Sequence, residues 1–108
     1  SITLDGFFVN KNIKPDIIKV DVEGAEMKAL SGMKNILNTC DVKLFFEIHP
    51  KKLEIFQSSA SEVVSTLLSY GFKVYEIENV RENNDGITLN PISREKSLME
   101  NTMLFSCR

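Results

Sequence analysis

The most regular feature of the chain is a pair of short apolar runs. The first extends from Asp16 to Val22 and the second from Val42 to Ile48, where His49-Pro50 closes it. Both runs are rich in β-branched or aromatic residues, which predicts β-strands. The first run is apolar on both faces, a pattern typical of a strand in the middle of a parallel sheet that helices cover on each side.

The segment between these strands predicts a helix from about Ala25 to Asn38. Glu23-Gly24 supplies the turn into the helix, and Gly32 predicts a kink or a split into two shorter helices. Apolar residues recur at helical spacing: Ala29, Leu30, Met33, Ile36 and Leu37. A strand, a helix and a second strand in this order imply a right-handed parallel crossover.

A second helix is predicted after the second strand. Ser59 and Glu62 form a candidate capping box, and Gly71 suits the end of the helix. The apolar face between them consists of Val63, Val64, Leu67 and Leu68.

Two more strands are predicted, from Phe72 to Ile77 and from Thr102 to Cys107. The polar segment from Asn79 to Asn101 predicts a long loop, with a turn at residues 83–86 and a short helix near Pro91 to Met99. The whole pattern is βαβαβ followed by one more strand, which belongs to the α/β class.

Composition supports one folded, soluble unit. Hydrophobic residues make up 43% and charged residues 26% of 108, close to the usage of globular domains. The net charge is -2, with 13 Lys and Arg against 15 Asp and Glu, so a nucleic-acid partner is not expected. Without a membrane-length apolar run or a cysteine pattern, we expect a cytoplasmic protein with no membrane partner, zinc site or disulfide.

The stretch DIIKVDVEGAEMKALSGMKNIL, Asp16 to Leu37, resembles the signature of FkbM-family methyltransferases. In that signature a strand ending in K-x-D-x-E-G-x-E precedes a helix with L-x-G. The resemblance covers nearly the whole chain, continuing through Leu44 to His49, Leu68 to Phe72 and Asn101 to Phe105, with Ile2 to Asp5 similar to the segment before the signature strand.

The resemblance implies a Rossmann-like methyltransferase fold: a mostly parallel sheet flanked by helices, in which the visible strands are the fourth to seventh and the last is antiparallel. It also implies S-adenosylmethionine as cofactor and methyl transfer to a hydroxyl oxygen of a sugar or related metabolite. A small-molecule or carbohydrate acceptor is therefore the expected partner.

The glycine-rich turn that would hold this cofactor is absent from the sequence, because Gly24 and Gly32 are lone glycines. The resemblance therefore implies that residues 1–108 are the C-terminal part of a single methyltransferase domain whose glycine-rich half is missing. Weak or no binding of S-adenosylmethionine is expected. An alternative is a degenerate or truncated domain that acts as an interaction module and forms homo-oligomers through an exposed sheet edge.

The candidate catalytic residues lie at or near the carboxyl ends of the first two strands, where open α/β sheets bind ligands. Asp21 would orient the acceptor hydroxyl or take its proton, or would instead be satisfied by backbone amides of the turn. His49, the only histidine, is an acid or base candidate, although it could also be a polar residue that ends a strand.

Glu23 and Glu26 could join Asp21 as magnesium ligands, but the preference for acids at a helix start explains both residues as well, so no metal site is predicted. Lys19 interrupts a strand expected to be buried, two residues before Asp21. We therefore predict an ion pair between Lys19 and Glu47, with a structural role or a role in the acceptor site.

Overall fold

A computed structural model describes residues 3–78, 88–92 and 102–108 of the chain. The helices in these residues are α1 (Leu4–Lys11), α2 (Glu26–Ser31), α3 (Lys34–Thr39), α4 (Pro50–Ile55) and α5 (Ala60–Ser69). The strands are β1 (Ile17–Val20), β2 (Lys43–Ile48), β3 (Lys73–Glu78), β4 (Thr88–Ile92) and β5 (Thr102–Cys107). None of the described helices has the length and apolar character to cross a membrane.

The strands form one mixed sheet in the order β1-β2-β5-β3-β4, so the predicted α/β class is confirmed. Only β1 and β2 pair in parallel; β5 pairs antiparallel with both β2 and β3, and β3 pairs antiparallel with β4. The antiparallel last strand is therefore confirmed, but the mostly parallel sheet is not. The reason is that β5 lies between β2 and β3 and is antiparallel to both, and that β4 is antiparallel to its neighbour β3.

The strand β1 lies at an edge of the described sheet, so its predicted central position is wrong. It pairs with β2 on one side only, and Ile17 is 63% exposed while Val20 is buried. A strand with apolar residues on both sides of the pleat can lie at the centre or at the edge of a sheet, because the pattern does not reveal whether a neighbouring strand is present. The side of β1 away from β2 is unpaired in the described residues.

The helices bury one face of the sheet. Leu44, Phe46 and Ile48 of β2 are 0% exposed and share a core with apolar residues of the helices, including Leu30, Leu37 and Leu67. The alternate residues of the strands remain partly or fully exposed. On that second face, the rings of Phe45 and Phe105 lie 5.0 Å apart. The prediction of helices on both faces is thus wrong for the described residues.

The predicted split at Gly32 is confirmed, since α2 ends at Ser31 and α3 begins at Lys34. The break coincides with a contact from a distant segment, because the Asp5 carboxylate accepts hydrogen bonds from the backbone N–H groups of Asn35 (2.8 Å) and Ile36 (3.0 Å). These are among the N–H groups that have no partner inside a helix that starts at Lys34. Asp5 belongs to α1, a helix that the sequence pattern did not predict.

The capped helix is confirmed as α5: the Ser59 hydroxyl accepts a hydrogen bond from the Glu62 backbone N–H at 3.2 Å. After the helix, Gly71 adopts φ +84°. The prediction of a loop across residues 79–101 is wrong at β4, where Pro91 is tolerated because this strand lies at the sheet edge. The predicted short helix is wrong at Pro91 and Ile92, and its remainder, like the turn at 83–86, lies outside the described residues.

Candidate functional site

Three polar side chains converge at the carboxyl ends of β1 and β2. One ligand atom of Asp21, one of Glu47 and one of His49 all lie within 4.8 Å of one another. The register explains this convergence: Lys19 pairs with Phe45, and two residues further along each chain, on the same side of the pleat, come Asp21 and Glu47. We call Asp21, Glu47 and His49 the strand-end cluster.

One contact in the strand-end cluster joins His49 Nε2 to Asp21 Oδ1, at 3.4 Å. The side chain of His49 is 12% exposed and that of Asp21 is 44% exposed, so the imidazole is largely enclosed while the carboxylate faces outward. β2 ends at Ile48, His49 is the N-cap residue of α4, and Pro50 occupies the first turn of that helix. Because proline fits the first helical position, the chain passes from strand to helix at this point.

The turn after Asp21 places α4 beside the cluster. Glu23 and Gly24 both adopt positive φ, 44° and 107°. A Cβ at Gly24 would lie 2.7 Å from the carbonyl oxygen of Lys52, so only glycine allows α4 to approach this turn so closely. The backbone of the signature turn therefore packs directly on α4, the helix that begins next to His49.

Glu23 lies apart from the strand-end cluster. Its side chain is 67% exposed and forms an ion pair of 3.8 Å with Lys52, which is 54% exposed. An ion pair with this much exposure contributes little to stability because water screens it. The structure thus places Glu23 on the surface of the turn, beside the cluster rather than within it.

The predicted ion pair between Lys19 and Glu47 is not among those that the described residues form. The two side chains do lie on one side of the pleat, as expected, but Lys19 is exposed because it lies on the face of the sheet that the described helices do not cover. The prediction assumed a buried lysine, whose charge would need a partner. Water solvates the ammonium group of an exposed lysine, so no partner is required.

Glu26 is 0% exposed, and neither of its carboxylate oxygens has a hydrogen-bond partner within the described residues. The magnesium site considered for Asp21, Glu23 and Glu26 is not formed. The group of candidate metal-binding residues that the described part of the chain does assemble contains Glu47 and His49 with Asp21 instead.

The strand-end cluster holds two carboxylates beside one imidazole. Within the described ranges, neither Asp21 nor Glu47 forms an ion pair with a lysine or an arginine. Two carboxylates in close proximity favour a cation or a hydrogen-bond donor beside them. The cluster can therefore accept hydrogen bonds from a polyhydroxylated ligand, take up a proton, or bind a cation.

The described residues do not fit S-adenosylmethionine. Gly24 offers no free cradle, because the Lys52 backbone already occupies the space beside its Cα. A cleft of about 220 Å³ is lined by residues of α1 and α3, but it also includes Pro15, which precedes β1, and so lies away from the strand-end cluster. The described residues thus form one polar edge of a site, and neither the turn at Gly24 nor this cleft offers a place for the cofactor beside that edge.

The sequence placed Asp21 and His49 at the same edge of the sheet, but it predicted Lys19 rather than Asp21 as the neighbour of Glu47. Lys19 and Asp21 share one side of the first strand, and Glu47 and His49 share one side of the second. Aligning the two strands by their carboxyl ends would have brought Asp21 close to Glu47. The packing of Gly24 on Lys52 had no local signal, because nothing in the pattern predicted α4.

A mixed α/β sheet with acid and base candidates outside the carboxyl ends of parallel strands has the site position expected of ligand-binding α/β domains. The sequence model of the methyltransferase FkbM domain matches residues 1–74, which include the whole strand-end cluster. The chain therefore belongs to the FkbM methyltransferase family, and this membership indicates methyl transfer as its class of activity. No curated protein and no solved structure matches the chain.

Proposed function

We propose that the chain provides the acceptor side of an S-adenosylmethionine-dependent methyltransferase that acts on a hydroxyl oxygen of a sugar or related metabolite. The observation that carries this proposal is the contact of 3.4 Å between His49 and Asp21 at the strand ends, inside the segment that matches the FkbM domain. The cofactor itself would be bound by a glycine-rich segment other than the described residues.

Transfer of a methyl group to a hydroxyl releases a proton, whatever the methyl donor. As the oxygen lone pair forms the new O–C bond, the O–H bond must break and its proton needs an acceptor. Asp21 is suited to this role because its carboxylate faces outward, while His49 holds the Oδ1 atom from the enclosed side. The Oδ2 atom of Asp21 is the proposed proton acceptor.

The second carboxylate of the cluster supports a polyhydroxylated acceptor. Glu47 lies beside Asp21 and has no lysine or arginine partner within the described residues. Carboxylates accept hydrogen bonds and donate none when ionised, so two of them can hold adjacent hydroxyl groups of one sugar ring. In this proposal Glu47 binds a neighbouring hydroxyl and orients the one that Asp21 deprotonates.

The proposed proton acceptor is tested by methyl-transfer kinetics on the product of the complete reading frame that contains this chain. Asp21→Asn is expected to lower kcat by about 10² to 10⁴-fold, because the amide cannot take the proton. His49→Gln is expected to cause a smaller loss. Asp41→Asn is the matched control, since Asp41 is exposed and precedes β2 at the opposite end of that strand. An Asp21→Asn enzyme with the kcat of the control would refute the role of Asp21.

The division of the site is tested by calorimetric titration of S-adenosylmethionine. The chain of residues 1–108 is expected to give no binding heat, whereas the complete product binds the cofactor. Clear binding to residues 1–108 would overturn the proposal that the cofactor side lies elsewhere.

A second candidate function is an interaction module, and the exposed edge of β1 favours it. Ile17 is 63% exposed on a strand that pairs on one side only. Such an edge can pair with a strand of a second copy. Under this proposal, light scattering of the purified chain shows dimers that Ile17→Lys disrupts, while a stable monomer would contradict it.

A further inference from the structure

We propose that Asp21, Glu47 and His49 form a binding site for one divalent first-row transition-metal ion. Ion binding itself does not depend on the proposed function. Only the role of the ion rests on that proposal, because the ion would bind the acceptor hydroxyl at the same side chains. The observation behind it is the convergence of two carboxylates and one imidazole, each able to place one ligand atom within 4.8 Å of the others.

The spacing of these atoms suits ligands of a common ion. Nitrogen and oxygen ligands lie about 2.0 to 2.2 Å from zinc, and two ligands at a tetrahedral angle are then about 3.4 Å apart. His49 Nε2 and Asp21 Oδ1 are separated by 3.4 Å. A charge-assisted hydrogen bond between such groups is usually about 2.7 to 2.9 Å long. The contact is therefore long for a hydrogen bond and has the length expected of two ligands of one ion.

Glu47 completes a set of three ligands. It lies on β2 two residues before His49, and the parallel register brings it level with Asp21. A small rotation of the carboxylates closes the remaining gap, because ligands of one ion are at most about 4.4 Å apart. Because Glu47 belongs to β2 and Asp21 and His49 each follow directly after one of two paired strands, the backbone holds the three residues together before any ion arrives.

The charge of the strand-end cluster also favours a cation. Neither carboxylate forms an ion pair with a lysine or arginine in the described part of the chain, although Lys19 lies on the same side of the pleat. A divalent ion would neutralise both carboxylates at once. His49 is 12% exposed, so its imidazole is held in place by its surroundings and loses little freedom on binding.

The donor set selects the class of ion. Imidazole nitrogen suits zinc, iron, copper and nickel, whereas magnesium and calcium prefer sites made of oxygen ligands alone. Three protein ligands leave a coordination position open, as in catalytic zinc sites. An acceptor hydroxyl bound there would lose its proton more easily, and Asp21 Oδ2 would remain available to receive it.

The test is calorimetric titration of the protein with Zn²⁺ in the absence of methyl donor and acceptor, repeated with Mg²⁺. One equivalent of Zn²⁺ is expected to bind, with Mg²⁺ binding at least about tenfold more weakly. Glu47→Gln and His49→Gln should each weaken Zn²⁺ binding by about tenfold or more, whereas Glu54→Gln, an exposed carboxylate of α4, should not. Circular dichroism of the metal-free variants checks that each one is folded.

Two results would overturn the inference: no Zn²⁺ binding by the folded protein, or binding that is unchanged in both Glu47→Gln and His49→Gln. Visible absorption bands of bound Co²⁺ that disappear in Glu47→Gln would support it independently. Because these measurements involve no methyl transfer, they separate the two proposals. For the product of the complete reading frame, Zn²⁺ binding without methyltransferase activity would refute the proposed function alone, and activity in a protein that binds no ion would refute the ion site alone.

Discussion

Gly24 packs so closely on Lys52 that a Cβ atom at position 24 would lie 2.7 Å from the Lys52 carbonyl oxygen. This contact joins the turn after β1 to α4, and so joins the segments that carry Asp21 and His49. Gly24 of the FkbM-like signature is consequently required for packing, in addition to the polar residues that the signature contains.

The first prediction compares two glycines with positive φ. Gly24→Ala should lower the free energy of unfolding by about 3 kcal/mol, because it adds a clash with the backbone to a strained φ. Gly71→Ala is the matched control: it has φ +84° but no atom within 4 Å of its Cβ, so only backbone strain of about 1 to 2 kcal/mol is expected. Urea denaturation measures both, and equal losses would contradict the proposed clash.

The second prediction concerns the contact between Asp5 and the start of α3. Asp5→Ala removes the acceptor for two backbone N–H groups, those of Asn35 and Ile36, and should lower the free energy of unfolding by about 1 to 2 kcal/mol. Asp5→Asn keeps one oxygen and should have an intermediate effect. Thermal or urea unfolding checks this order, and an Asp5→Ala protein as stable as the wild type would rule out a capping role.

The third prediction concerns Arg108, which closes the other end of α3. Its guanidinium donates hydrogen bonds to the carbonyl oxygens of Leu37 and Cys40 and lies 4.8 Å from the ring centroid of Phe72. Arg108→Ala should lower the free energy of unfolding by about 1 kcal/mol, and Arg108→Lys by less, because lysine keeps the charge but not the planar fork. If both variants unfold at the same urea concentration, the charge that lysine retains contributes nothing, which would contradict the expected order.

The fourth prediction concerns the buried Glu26. Neither of its oxygens has a partner in the described residues, so Glu26→Met should raise the free energy of unfolding of residues 1–108 by about 1 to 3 kcal/mol. Glu54→Met, at an exposed position of α4, should change it by less than about 0.5 kcal/mol. Destabilisation by Glu26→Met would mean that the carboxylate makes hydrogen bonds in solution.

Local patterns predicted most of the helices and strands near the core. Gly32 correctly predicted the split between α2 and α3, and Ser59 correctly predicted the start of α5, because both signals act within one or two turns of chain. The helix α1 was not predicted because none of its residues is buried, so its sequence shows no apolar face, although Thr3 caps its start. The strand β4 was missed because Pro91 disfavours a strand unless that strand lies at an edge.

The sequence predicted the individual residues of the candidate site, but it did not predict that Glu47 lies beside Asp21. Asp21, Glu47 and His49 were each expected near the strand ends, yet their proximity depends on the register of β1 and β2. The burial predicted for Lys19 was wrong for a related reason: whether Lys19 is buried depends on which elements cover its face of the sheet, and periodicity within one segment does not report this.

The position of β5 has a consequence for the order of folding. This strand is the last of the described strands to be synthesised, yet it separates β2 from β3 and pairs with both. During translation, the β1-β2 pair and the β3-β4 pair therefore have no shared hydrogen bonds until residues 102–107 leave the ribosome. Assembly of the five-stranded sheet is consequently expected to wait for the synthesis of β5, and its rate to be governed by the long sequence separation between β5 and its partner β2.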